Sequence, residues 1–169
     1  MKKSAVIDAK GWRGVSTKVV DRWLDDLPLI AGIGEVVSWC RSRRLEPVLA
    51  SLAWQPVSTA MARRHGFTAN GGPRVGISGL VYDGTVAEHF NEYDKRDRAL
   101  AFAAERGVPT QRCCAIGDSR SDIPLFSALQ TTLALNADTA TRKVATTAMT
   151  AQDLTEVVPW LQQWERGLD

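Results

Sequence analysis

The sequence has few of the residues that build disulfide-rich or zinc-binding proteins. Its 169 residues include three cysteines and two histidines, and Cys40, Cys113 and Cys114 do not have the spacing of metal ligands. Two adjacent cysteines in an apolar run are typical of small core residues in a reducing compartment. We therefore expect a cytoplasmic protein without disulfide bonds.

The sequence also lacks a long apolar run and a strong excess of charge. No stretch approaches the roughly 18 apolar residues of a membrane span. The two lysines near the N-terminus are not followed by the apolar stretch of a signal peptide. The 21 basic and 19 acidic residues give a net charge of +2, which is too small to indicate a nucleic acid or a membrane as partner. The length fits one domain over residues 1–169.

Short apolar runs alternate with segments of helical periodicity. The predicted strands are 4–8, 47–51, 113–118 and 131–135. The predicted helices are 33–40, 55–66, 94–107 and 154–161. A glycine-rich segment, 71–86, is typical of a β-hairpin. Strands that alternate with helices indicate an α/β fold with a mostly parallel sheet.

Polar side chains follow two of the predicted strands. Ser51 ends one strand, Asp118 ends another, and Asp122 follows four residues later, while Lys95 lies near the start of a predicted helix. Each residue alone is typical of a turn, a helix cap or a solvated surface. Because the carboxyl ends of parallel strands share one edge of the sheet, we expect the four to meet there. A hydroxyl, an ammonium and two carboxylates suit a phosphate group with Mg²⁺.

These residues stand in three motifs, "PVLAS", the Lys95 segment "DKRDRALAFAAERGV" and "AIGDSRSDIPLF". The set resembles the haloacid dehalogenase superfamily, and within it the branch that is similar to phosphoserine phosphatase, over about residues 28–165. The resemblance implies a three-layer, doubly wound parallel sheet with a Rossmann-like core. It also implies that Ser51 and Lys95 bind the phosphoryl group and that Asp118 and Asp122 hold Mg²⁺.

The first motif of that family, an apolar strand that ends in Asp-x-Asp-Gly-Thr, has no clear counterpart. In one interpretation "SAVID" is this strand, Asp8 is the nucleophile and a third metal ligand, and Lys10 replaces the general acid. A lysine does not perform that role at neutral pH unless its pKa falls by several units. In the other interpretation the motif is absent, and the segment before residue 31 is the end of a cap domain. The family's first strand lies in the middle of the sheet, which favours the first interpretation.

The resemblance implies a Mg²⁺-dependent phosphomonoester hydrolase that acts through an aspartyl-phosphate, with Asp8 and Lys95 as catalytic residues and weak or altered activity. The alternative is a catalytically impaired relative that binds a phosphorylated ligand or a protein partner. We expect a small phosphorylated metabolite as substrate and a minimal or truncated cap at about residues 9–30. An open site of this kind would suit a homo-oligomer that covers it. A receiver-type signalling domain is disfavoured, because paired acids do not follow the first predicted strand.

Overall fold

The computed structural model describes residues 2–168, and the side chains of residues 5–168. Its α-helices are α1 (Lys2–Gly11), α2 (Thr17–Asp25), α3 (Ile33–Ser42), α4 (Gln55–His65), α5 (Glu92–Glu105), α6 (Ile123–Phe126), α7 (Thr139–Val144) and α8 (Val158–Arg166). Short 3₁₀ turns cover Thr110–Arg112, Arg120–Asp122 and Leu154–Val157. None of the described helices is long and apolar enough to cross a lipid bilayer.

The strands form three separate groups. They are β1 (Val48–Leu49), β2 (Thr68–Ala69), β3 (Arg74–Ser78), β4 (Val81–Glu88), β5 (Cys114–Gly117), β6 (Thr131–Leu135) and β7 (Thr147–Met149). β1 pairs with β2 in parallel, and β5, β6 and β7 form a parallel sheet in that order. β3 and β4 form an antiparallel hairpin. The prediction of an α/β fold with parallel strands and a hairpin is therefore confirmed.

The prediction of a strand over residues 4–8 is wrong, because this segment lies inside helix α1. The helix buries Ala9 completely against a cluster that includes Tyr82 of the hairpin. Ala5, Ala9 and Trp12 follow one another at helical spacing, and all three are at least partly buried. A run of only five residues does not decide between strand and helix by itself, so its packing partner decides. Asp8 consequently lies on an exposed helical face and ends no strand.

Two hydrophobic clusters hold the described residues together. The first joins α1, α2, α4 and the hairpin, and consists of Ala9, Val20, Leu24, Ala60, Met61, Val75 and Tyr82. The second joins α3 and α8 to the β5–β7 sheet, and consists of Val36, Cys40, Leu133, Leu135, Ala151, Val157 and Leu161. The packing of α1 and α2 on the hairpin is compatible with a cap remnant at residues 9–30, and that assignment stays a prediction.

Helix α3 connects the two parallel sheets. Its Val36 and Cys40 lie in the second cluster, with Cys114 of β5 packed at the margin. At its C-terminal end the Arg41 side chain donates a hydrogen bond from Nε to the Gly66 carbonyl, 3.0 Å away. Gly66 ends α4 with a φ of 83°, which favours glycine, and it lies two residues before the start of β2. The helix therefore reaches from the β5–β7 sheet to the β1–β2 pair.

Candidate active site

The loop after β5 is built around a close contact between Gly117 and Asp122. A Cβ atom added to Gly117 would lie 2.3 Å from Cγ of Asp122 and 2.6 Å from its Oδ2. Real side chains do not approach so closely, because the cost of atomic overlap rises steeply within van der Waals contact. The glycine that precedes Asp118 is thus required by the position of the Asp122 carboxylate.

The Asp122 carboxylate holds this loop in place. Asp122 is buried, and its Oδ2 accepts hydrogen bonds from the backbone N–H groups of Asp118 (3.0 Å) and Ser119 (3.1 Å). Ser119 and Asp122 also form a capping box over the 3₁₀ turn that begins at Arg120. Charge-assisted bonds from backbone amides are among the stronger hydrogen bonds in proteins. Asp122 therefore fixes the backbone that carries Asp118.

Lys95 completes the contacts of the Asp122 carboxylate. Its Nζ donates to Oδ1 of Asp122 at 2.5 Å, and the two side chains are only 7% and 6% exposed. A buried lysine needs such a partner, since removal of an unpaired charge from water is costly. Lys95 lies in the first turn of α5, which is capped by Asn91 and Asp94. The ion pair therefore attaches the start of α5 to the end of β5.

Asp118 is the accessible carboxylate of this corner. Its side chain is exposed, and within residues 5–168 its carboxylate accepts no hydrogen bond from the protein. Its backbone carbonyl accepts from the N–H of Asp138, at 3.4 Å. Asp138 caps α7, and hydrogen bonds from Thr141, together with the charge of Arg120, lower the pKa of the Asp138 carboxyl. Asp118 is thus a rigidly mounted oxygen donor that is free to bind a hard cation.

Ser51 lies two residues beyond β1, in a loop that leads into α4. Its Oγ accepts a hydrogen bond from the Ala53 N–H at 3.0 Å, so the hydroxyl forms the turn that the residue type predicts. The neighbouring loop approaches closely at Gly72, where an added Cβ would lie 3.0 Å from the Ala53 carbonyl oxygen. With its O–H hydrogen free to rotate, the Ser51 hydroxyl keeps its capacity as a donor.

Helix α5 brings both strand ends to one rim. Asn70, directly after β2, donates from its backbone N–H to the Leu49 carbonyl and from its side chain to the Arg98 carbonyl, both at 3.1 Å. Arg98 lies one turn along α5 from Lys95, which binds Asp122. The carboxyl ends of β1, β2 and β5 therefore all lie near the first half of α5.

In the described part of the chain, no hydrogen bond or ion pair joins Asp8 to the polar residues of this rim. Helix α1 packs against β4 of the hairpin, and Asp8 is exposed. Across the described residues, no three histidine, cysteine, aspartate or glutamate side chains are arranged to hold a metal ion. Asp8 therefore does not form a triple acidic cluster with Asp118 and Asp122, and its role as nucleophile stays a prediction.

Sequence reasoning missed two features of the site. The first is the role of Ser119, although the Ser-x-x-Asp pattern of a capping box was visible in the sequence. The second is an aromatic cluster beside the Ser51 loop. The ring of Trp12 packs edge-on against Trp54 (6.3 Å between centroids) and Tyr82 (4.9 Å). This cluster places the end of α1 next to the loop that carries Ser51.

The comparisons with known proteins concern the family and the fold of the chain. The profile of the haloacid dehalogenase-like hydrolases matches residues 4–127. The chain is 30% identical over 90 residues to the phosphoserine phosphatase SerB1 of Mycobacterium tuberculosis. The aligned segment covers 53% of this chain and 29% of that protein. A crystal structure described as a probable phosphoserine phosphatase from Vibrio cholerae superposes with a TM-score of 0.88 at 18% identity, over 100% of this chain and 54% of that one. The crystal structure of a HAD family hydrolase from Salmonella enterica serovar Typhi superposes with a TM-score of 0.82 at 16% identity, over 90% of this chain and 53% of that one.

The chain belongs to the haloacid dehalogenase-like hydrolase family, since the family profile covers most of its length. Its fold is that of the phosphoserine phosphatases and related hydrolases with which it superposes. The matched segment is less than a third of the length of the curated relative, and the chain spans about half of the two superposed structures.

Proposed function

We propose that this chain carries the phosphate-binding and metal-binding part of a Mg²⁺-dependent phosphomonoester hydrolase. The observation that supports this most strongly is the buried ion pair between Lys95 and Asp122, anchored to the backbone of Asp118. A buried ammonium and a free, rigidly placed carboxylate at one strand end suit the binding of a divalent cation together with a phosphate.

Each polar residue of the rim has a role in this proposal. Asp118 is the direct ligand of the cation, because its carboxylate has no hydrogen-bonding partner in the described part of the chain. Asp122 positions Asp118 and Lys95, since both of its oxygens are already engaged. Lys95 and Ser51 contact phosphate oxygens. Bound Mg²⁺ would polarise the phosphoryl group and neutralise part of its charge.

Asp8, the nucleophile that the sequence predicts, makes no hydrogen bond or ion pair with Lys95, Asp118 or Asp122 within residues 5–168. This observation favours a second candidate function for the 169-residue chain, the binding of a phosphorylated ligand without turnover. In both candidates the ligand is a small phosphomonoester, as the names of the relatives imply. Self-association over the open site stays a prediction.

The proposal is tested by titration calorimetry of inorganic phosphate with and without Mg²⁺, and by hydrolysis of p-nitrophenyl phosphate. Asp118→Asn and Lys95→Met should each weaken Mg²⁺-dependent phosphate binding by roughly tenfold or more, because each removes a charged contact. Circular dichroism of both variants checks that they fold.

Asp8→Asn and Lys143→Met are the matched controls, because both residues are exposed and lie on helices α1 and α7. Neither should change phosphate binding. Binding without hydrolysis would support the second candidate function. Hydrolysis that disappears in Asp8→Asn would contradict the site, and so would phosphate binding that ignores Asp118→Asn.

A further inference from the structure

The β3–β4 hairpin has one covered edge and one open edge. The segment before α2 covers β4, since the Gly14 N–H donates to the Tyr82 carbonyl at 2.8 Å and the Tyr82 N–H donates to the Val15 carbonyl at 2.9 Å. Within residues 2–168, β3 pairs only with β4. The other edge of β3 therefore has no strand beside it in the described part of the chain. We call it the open edge of β3.

The backbone groups of Ile77 point to this open edge. Ile77 lies opposite Tyr82 in the hairpin. Opposite residues of an antiparallel pair either exchange both of their hydrogen bonds with each other or direct all of these groups away from each other. Because the Tyr82 N–H and carbonyl bind the segment before α2, the pair is of the second kind. Successive residues of a strand alternate in direction, so the backbone groups of Val75 face the open edge as well.

The open edge lacks the features that usually prevent edge strands from pairing, which are lysine, proline or a bulge in the strand itself. β3 reads RVGIS and has neither lysine nor proline. The extra residues of the hairpin are in the other strand, because β3 advances from 75 to 77 while the paired residues of β4 advance from 82 to 86. The Ile77 side chain is also 54% exposed. The open edge is therefore regular and partly apolar.

A groove lies between the hairpin, α2 and α4. It encloses about 240 Å³, and Ile77 is among the residues that line it. An exposed polar row of α4 lines it as well, Gln55, Thr59 and Arg63. The members of this row are four residues apart, which places them on one face of the helix. The start of α4 lies beside β3, since the Gln55 N–H donates to the carbonyl of Pro73, the residue before β3.

We propose that the open edge of β3 pairs antiparallel with the open edge of a second copy of this chain, around a two-fold axis at Gly76. In this register Val75 of each copy exchanges two hydrogen bonds with Ile77 of the other, which satisfies the outward backbone groups of both. Arg74, the only charged residue of β3, lies opposite Ser78 of the second copy. The two Arg74 residues are therefore about 14 Å apart along the strands and do not repel each other strongly.

The groove is compatible with the same two-fold axis. The axis reverses the direction of the α4 row in the second copy, so Gln55 of one row corresponds to Arg63 of the other and the two Arg63 residues lie at opposite ends. Pairing of two identical edges also closes the assembly, because each copy then has no open edge of β3 left. A strand of another protein would satisfy the backbone alone, and the experiments distinguish that occupant. The inference concerns the hairpin and does not depend on the proposed hydrolase function.

Sedimentation velocity of the full chain tests the association. One short strand and one helix face make a small interface, so the change from monomer to dimer should fall between about 1 and 200 µM. Ile77→Lys should weaken the association by roughly tenfold or more, because a charge on an edge strand opposes pairing. Ile7→Lys is the matched control, since Ile7 is 69% exposed on α1, which packs against β4, and its replacement should leave the association unchanged. Circular dichroism checks that both variants fold.

Disulfide cross-linking tests the register. An equal mixture of Arg74→Cys and Ser78→Cys chains should form an intermolecular disulfide when oxidised by dissolved oxygen, because these positions are a directly opposed, non-hydrogen-bonded pair with neighbouring Cβ atoms. Neither chain alone should cross-link more than the unaltered chain does, since its two substituted positions are about 14 Å apart.

Three results would overturn the proposal. The first is a chain that stays monomeric up to about 200 µM, which would leave the open edge to a strand of another protein. The second is an association that Ile77→Lys does not weaken or that Ile7→Lys weakens equally. The third is cross-linking of either cysteine variant alone to the same extent as in the mixture, because the two strands would then pair in another register.

Discussion

Gly117→Ala should destabilise the protein far more than an added methyl group usually does. The new Cβ would lie 2.3 Å from Cγ of Asp122 and 2.7 Å from its Cβ, so the Asp122 side chain has to move. That movement would break the bonds from the Asp118 and Ser119 amides and the ion pair with Lys95. Overpacking alone costs about 1–3 kcal/mol, and a broken buried ion pair costs about 3–5 kcal/mol. Because the two effects share one cause, we expect a loss of about 3–5 kcal/mol in the free energy of unfolding.

Urea unfolding followed by circular dichroism measures this loss, and Gly34→Ala is the matched control. Gly34 lies inside α3 and has no atom within 4 Å of an added Cβ, so alanine there should change stability by about 1 kcal/mol or less, in the stabilising direction. In a chain that already carries Asp122→Gly, the cost of Gly117→Ala should fall to about 1 kcal/mol or less, since glycine lacks the three side-chain atoms that lie nearest to the new Cβ. An equal cost in both backgrounds, or a cost like that of Gly34→Ala, would refute the reasoning.

Three further outcomes follow from the structure. Burial raises the pKa of the Cys114 and Cys113 thiols, so iodoacetamide at about pH 8 should alkylate Cys114 slowly in the native chain and rapidly after unfolding, whereas equal rates would contradict its burial. Hydrogen bonds from Thr85 lower the pKa of the Asp83 carboxyl below 3.8. The ionised carboxylate therefore stabilises the fold above pH 3.8, and this stabilisation is lost as the pH falls through the lowered pKa. Asp83→Ala should remove this pH dependence from an acid-unfolding curve. Asn91→Ala removes the acceptor for the N–H groups at the start of α5 and should lower the free energy of unfolding, measured in urea, by about 1 kcal/mol. An unchanged free energy of unfolding would show that this cap is absent in solution.

The sequence was sufficient to predict several elements from β1 onward, but it did not indicate the short elements β2, α6, α7 and β7. Alternating apolar runs and helical periodicity located β1, β5, β6 and the hairpin, because strands covered on both faces have to be apolar nearly throughout. The glycines after the predicted helices also marked real helix ends. Gly66, for example, has the positive φ that such an end requires.

The segment around Asp8 could not be assigned from the sequence. Its short apolar run fits a strand and a helix equally well, and the buried contact of Ala9 with the hairpin decides for the helix. The sequence also did not show which of Asp118 and Asp122 pairs with Lys95 and which stays free, because this depends on which carboxylate the Lys95 side chain reaches. In the structure that partner is Asp122, which leaves Asp118 free.

The central claim is that Ser51, Lys95 and Asp118 together bind a cation and a phosphate. A crystal structure of the protein with Mn²⁺ and inorganic phosphate tests it most directly, since the anomalous signal of Mn²⁺ locates the cation. The account predicts Mn²⁺ against the Asp118 carboxylate, with phosphate oxygens within hydrogen-bonding distance of Ser51 Oγ and Lys95 Nζ. Mn²⁺ and phosphate bound at a place remote from β5 and α5 would contradict it.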